Sequence, residues 1–170
     1  MKATGVWTLA VLCALPTIAA AEIIDFTIPL SGAEEVPPVE TTGTGDVSIQ
    51  LDTVTGAIIL GGSFDQLMSP ATTAALIGFA PVGSIGTIEL ITLAIVPVDD
   101  SRTAGDLSGS GTLTPEQVQG LLEQQTYINV RSSEFPNGEL RGQVVPSPAT
   151  LLTLGSLGLV RRRNRFRGVA

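Results

Sequence analysis

A strict alternation of apolar and polar residues limits this chain more than any other feature of its sequence. Ile24, Phe26 and Ile28 alternate with Asp25 and Thr27 up to Pro29, and Val47, Ile49 and Leu51 alternate with Ser48 and Gln50. Side chains on a strand point to opposite faces in turn, so period two with β-branched residues marks strands with one buried face. Asp52-Thr53-Val54-Thr55-Gly56 has turn residues at both ends and precedes the run Ala57–Leu60, which predicts a hairpin. Ile85–Ile95, with Thr87 and Glu89 interleaved, predicts another strand, and Tyr127–Val130 and Glu139–Val145 predict the last two. One helix is expected. Thr114-Pro115-Glu116-Gln117 sets Thr at the N-cap, Pro at the first helical position and Gln at the third, a capping box. Val118, Leu121 and Leu122 then form an apolar stripe that ends near Gln124. About seven short strands with one short helix predict an all-β fold, a single β-sandwich or Greek-key barrel. Aromatic residues make up only 4% of the chain, so its core is expected to be built from Val, Ile, Leu and Ala.

Charge is segregated along the sequence. Arg161, Arg162, Arg163, Arg165 and Arg167 crowd the end and Lys2 the start, so residues 22–145 keep three arginines, Arg102, Arg131 and Arg141, against all 16 Asp and Glu, a net of −13. Such a body repels phosphate backbones, which argues against nucleic acid as a partner. The carboxylates read as a solvated surface.

Both ends read as processing signals. Lys2, an apolar run from Val6 to Ala14, Pro16 and Ala19-Ala20-Ala21 before Glu22 have the order of a secretory signal peptide over residues 1–21, cut between Ala21 and Glu22. Cys13 lies inside the apolar run after Leu12, where a lipobox needs a small residue, so lipidation is not expected. Its removal leaves a domain without cysteine, which must stand on packing alone. At the other end, Pro146-Ser147-Pro148 precedes an apolar segment from Ala149 to Val160 and the arginine cluster. Twelve residues at ~1.5 Å each reach roughly 18 Å, short of a ~30 Å hydrocarbon core. A basic cluster beside an apolar segment stays cytoplasmic, leaving the body outside. Pro146, Ser147 and Pro148, the apolar run, and Arg161, Arg162 and Arg163 together resemble the PEP-CTERM sorting signal, over residues 146–167, with Ser147 where glutamate usually stands. The resemblance implies export, a transient membrane-bound intermediate, and removal of the tail by an exosortase-type enzyme.

Two motifs resemble the CHRD domain. Leu30-Ser31-Gly32-Ala33-Glu34-Glu35-Val36-Pro37-Pro38-Val39 is similar to its opening, and Tyr127-Ile128-Asn129-Val130-Arg131 followed by Phe135-Pro136-Asn137-Gly138-Glu139-Leu140-Arg141-Gly142-Gln143 to its ending. Glu35, Pro37, Pro38, Asn129, Gly138, Glu139, Arg141 and Gly142 are the motif residues with expected structural roles. Pro37-Pro38 suits a sheet edge, and Pro136-Asn137-Gly138 a turn with positive φ. Glu139 and Arg141 stand two apart, hence on one face, and Arg141 is expected to pair with Glu139 or Glu35. The resemblance implies a domain over 22–145 laid out like the copper/zinc superoxide dismutase sandwich. The family's histidines are replaced: Thr73-Ala74-Ala75 is followed by Leu76-Ile77-Gly78, and Val130 by Arg131.

The chain has no histidine. Without imidazole or thiolate no zinc or copper site is expected, and no Ser-His-Asp triad or thiol nucleophile can be built. No D-x-D-x-D-G loop is present, and Asp99-Asp100 reads as a solvated turn. No catalytic residue, metal ligand or cofactor is therefore expected. The reading is an exported, surface- or matrix-associated, non-enzymatic β-domain that binds an exopolysaccharide or surface protein through strand edges and loops. The alternatives are a hydrolase using Glu35, Glu139 or Asp65 in a cleft, and a calcium-binding module.

Overall fold

In the first strand, β1 (Ile23–Ser31), Ile24, Phe26, Ile28 and Leu30 are buried while Asp25, Thr27 and Pro29 between them are exposed. The same alternation runs through β2 (Thr44–Asp52) and β3 (Ala57–Asp65). The computed structural model describes residues 22–145. The leader expected over 1–21 and the tail expected over 146–167, with Pro146, Ser147, Pro148, Arg161, Arg162 and Arg163, lie outside the described residues. Among the described residues no helix is long and apolar enough to cross a membrane.

The remaining strands are β4 (Ala71–Gly78), β5 (Ile88–Pro97), β6 (Gly105–Thr112), β7 (Thr126–Ser132) and β8 (Leu140–Gln143), with the helix α1 (Pro115–Leu122) between β6 and β7. α1 has the expected cap. The Thr114 side chain accepts from the Gln117 N–H at 3.3 Å and the Gln117 side chain from the Thr114 N–H at 2.8 Å. Val118 and Leu121 join the main core and Leu122 packs against it, so the apolar stripe of this short helix is its buried face.

The sandwich expectation is overturned. The strands form one closed barrel in the order β1-β2-β3-β6-β5-β4-β7-β8, in which β8 pairs back to β1 at Ser31 and Arg141. Two facing sheets, as in a superoxide-dismutase-like sandwich, would leave four edges; here every strand has a neighbour on both sides. Period two states that each strand has an inner face but not whether the outermost strands meet. That is decided by how sharply they coil. Gly142 on β8 sits where a Cβ would strike Pro29 O and lie 2.6 Å from Ile28 Cγ2, and Gly62 on β3 sits where it would strike Asp46 O and come within 2.8 Å of Val47 Cα. Bare backbone lets the strands approach there.

Two strands escaped the sequence reading. β4 is buried from Ala74 to Gly78 without alternation, because both its faces are covered, and β6 (GDLSGSGT) shows one large apolar side chain, Leu107. Inside the barrel the core includes Val47, Ile49, Leu60, Leu76, Ile128, Val130 and Leu140, whereas Ala75, Ile77, Ala80 and Tyr127 form a second cluster.

Gly142→Val should lower stability by about 3 kcal/mol, since the obstacle it meets is backbone at the β1–β8 seam. Gly61→Ala meets nothing within 4 Å and should change stability by less than about 0.5 kcal/mol. Urea melts of the two variants check this, and equal losses would show that the seam is not the tight point.

Candidate functional site

β7 turns Ile128 and Val130 inward, so Tyr127, Asn129 and Arg131 share its outer face. Arg141 and Gln143 stand beside them on β8, opposite Asn129 and Tyr127. Outer faces of barrels are usually solvated, yet Tyr127 is 4%, Asn129 3% and Arg141 2% exposed. The segment after β1, the turn before β8 and the loop after β4 cover them. A cavity of about 500 Å³ lies between these covers, walled by Pro37, Pro38, Phe135 and Pro136 and floored by Tyr127, Asn129 and Arg141.

Its polar groups are joined in series. Asn129 Nδ2 donates to Glu35 Oε1 at 2.8 Å and Asn129 Oδ1 accepts from Arg131 Nε at 3.2 Å. The Arg141 guanidinium lies 3.7 Å from the centroid of the Tyr127 ring, a cation–π stack, and donates through Nη2 to Gln143 Oε1 at 2.9 Å. Gln143 Nε2 in turn donates to the carbonyls of Gln124 and Thr126 at 2.7 and 2.9 Å. Burial pushes the Glu35 carboxyl from 4.5 up to about 7; Arg141, the Val36 N–H and Arg131, in falling order, pull against that rise. Gly138, at φ +146°, closes the floor where a Cβ would strike Glu35 Oε1 and Asn129 Nδ2, so only glycine fits.

Glu139 is fully buried and faces elsewhere. Its Oε1 accepts from Thr41 Oγ1 and from the Met68 N–H, both at 2.7 Å, and its Oε2 from Ser132 Oγ at 2.5 Å. The expected pairing of Arg141 with Glu139 or Glu35 is corrected. The hydrogen bond of Arg141 goes to neutral Gln143, and Glu35 acts on it through space. β8 starts at Leu140, so the two-residue alternation does not reach back to Glu139. Pro37 and Pro38 are likewise not at a sheet edge but on the cavity wall. The turn at Pro136-Asn137-Gly138 forms with Gly138 N–H donating to Phe135 O at 3.1 Å, and the glycine is the residue at positive φ.

Of the three carboxylates named for a hydrolase, Glu35 alone lines the cavity. Glu139 is engaged by its three donors, and Asp65 is exposed at the end of β3, accepting from the Gln66 N–H. Asp99 takes the Ser101 N–H in the exposed turn between β5 and β6. Among the described residues no three His, Cys, Asp or Glu side chains converge as a metal site would require. At the positions of the family's histidines, Leu76 is fully buried in the main core, Gly78 packs on Leu90 and Arg131 brings a cation to the cavity, so these residues do not fit a transition metal.

Tyr127 and Gln143 were legible only as parts of a motif. The signal that could have found them is the polar-tipped run Tyr127, Asn129, Arg131, interleaved with Ile128 and Val130 on a strand covered on both sides. Arg131 and Arg141, two of the three arginines in residues 22–145, meet at this one cavity, whereas Arg102 lies in the turn before β6 and donates to Ala71 O.

The family profile described as CHRD domain matches residues 26–144. Neither a curated protein nor a solved structure matches the chain.

Because the folded-state pKa of Glu35 stands above its unfolded value, the native protein holds this proton more tightly. The resulting stabilisation is whole below about 4.5 and is lost as the pH climbs through about 7. Asp52 and Asp99, both held below 3.8 by hydrogen bonds to the next turn residues, act only at more acidic pH. Urea midpoints should therefore fall between about pH 5 and pH 8, and Glu35→Gln should flatten that slope. An unchanged slope in the variant would place the titrating group elsewhere.

Proposed function

The chain belongs to the CHRD-domain family, and from that premise we propose that it is an exported, non-enzymatic binding module of the cell surface or extracellular matrix. The observation that carries this reading is the preformed cavity on the outer face of β7 and β8. It is roofed by loops, lined by buried polar groups and sized like the ~300–1,000 Å³ pockets that hold small ligands. A covered outer face costs a barrel nothing in its core, so ligand contacts can be built there without disturbing the packing inside. The closed ladder has no free strand edge, so the strand-edge mode of binding has no site on this barrel.

The ends of the sequence support the export part of the proposal. The leader over 1–21 would deliver the body outside, and the variant PEP-CTERM-like tail over 146–167 would hold it at the inner membrane until an exosortase-type enzyme removes it. Partners then follow as export machinery, the processing enzyme and an exopolysaccharide or surface protein. The net −13 of the body keeps such a module soluble once released.

One preparation tests both parts. Expressed at full length in an exosortase-carrying Gram-negative host, the chain should be recovered from the surface or matrix fraction with a mass that begins at Glu22 and ends near Pro146–Pro148. Added back to washed matrix, it should bind saturably. A cytoplasmic location, a released chain carrying Arg167, or uptake that grows linearly without saturation would contradict the proposal.

A further inference from the structure

Resting on the binding-module reading, we infer that the cavity binds a single carboxylate-bearing sugar, a uronic acid unit, with Arg131 and Arg141 as the clamp for its carboxylate. The placement of cations is the first ground. In a body with 16 acidic residues, two of three arginines line one cavity. Arg141 is 2% exposed, and burying a guanidinium costs several kcal/mol unless its surroundings offset that cost. Its hydrogen bond within the described residues goes to a neutral amide, and one N–H of half-buried Arg131 goes to Asn129, so most of the Arg131 fork is left for whatever enters while Arg141 adds its charge from the floor. A planar carboxylate matches that fork in two parallel bonds.

The walls argue for a sugar. Pro37, Pro38, Phe135 and Pro136 present carbon faces of the kind on which the C–H face of a pyranose lies, while Asn129 and Glu35 offer hydrogen-bonding groups for hydroxyls. A peptide that adds as a strand would need a sheet edge, which the closed barrel denies it. The field of the surrounding body sets the size. A polyanion lying across this surface would be repelled, whereas one charged unit, free or at a chain end, meets mainly the local arginines.

Glu35 couples occupancy to protons. It is faced by Arg141 from β8, by Tyr127, Asn129 and Arg131 from β7, and Glu134 lines the same cavity from the turn before β8. A ligand carboxylate adds negative charge beside it and favours its protonated form, which then donates to the ligand. Uptake of the acid should therefore draw a proton into the protein, and affinity should fall as the pH rises through about 7.

Calorimetric titration of the full-length chain with glucuronate, at about pH 6 and about pH 8, is the test. Saturable binding is expected, about tenfold weaker at the higher pH, with glucose at least about tenfold weaker than glucuronate. Arg131→Gln, at a half-buried position, should weaken glucuronate about tenfold while leaving the melting curve near that of the parent. Glu35→Gln should bring the affinities at the two pH values within about twofold; if this variant does not fold, the pH profile of the parent and the Arg131→Gln result still decide. The inference is overturned if glucose or inorganic sulfate binds as tightly as glucuronate, if an acetylated dipeptide acid binds more tightly, or if Arg131→Gln changes nothing. Saturable matrix association without glucuronate binding would sink this inference alone, and loss of both would sink the binding-module reading too.

Discussion

The buried carboxyl of Glu139 stands where three segments of the chain meet and is bonded to each of them. It accepts a hydroxyl from Thr41 in the segment after β1, a main-chain N–H from Met68 in the loop after β3, and a hydroxyl from Ser132 at the end of β7. Its own N–H donates to Val130 O at 2.8 Å. An interaction of this kind matters more for what its loss would leave than for its net strength. A typical hydrogen bond contributes about 1 kcal/mol, but each buried donor left without an acceptor costs about 1–3 kcal/mol. Two of the segments it binds, those after β1 and after β7, carry cavity-lining residues such as Glu35 and Phe135, although Glu139 itself does not line the site.

A second layer is built on that anchor. Once the segments on either side of β7 and β8 are held down, the outer face of these strands is no longer solvent-facing, and residues that would ordinarily be wet become a buried polar network. Tyr127 supplies a flat ring for Arg141, Asn129 bridges Glu35 to Arg131, and Gln143 knits β8 to the start of β7 and the residues just before it through the carbonyls of Thr126 and Gln124. Thr126 Oγ1 is the one fully buried side-chain polar atom without a partner among the described residues.

Much of this was legible in the residues. The alternation at Ile24–Ile28 and Val47–Leu51 marked strands and named their inner faces, and Thr114-Pro115-Glu116-Gln117 marked the only α-helix among the described residues. The motif residues pointed to the right part of the chain, since Glu35, Pro37, Pro38, Asn129, Gly138 and Arg141 all line the cavity. Closure of the barrel was not legible, because it depends on strands that are remote in sequence and on a few glycines at close approaches. β4 was hidden for another reason: a strand covered on both faces loses the period by which strands are recognised. The partner of Arg141 was not legible, because counting carboxylates cannot show that a neutral glutamine, two residues along the same strand, takes its hydrogen bond.

Native-state amide exchange at the Met68 N–H tests the anchor most directly. Met68 is 52% exposed and lies in a loop, where an amide would ordinarily exchange within the time of local fluctuations. Held by Glu139 Oε1, it should exchange as slowly as the amides of β7, and Glu139→Ala, which removes the acceptor, should release it. Fast exchange of Met68 in the parent chain, or protection that survives the substitution, would contradict the role given to Glu139.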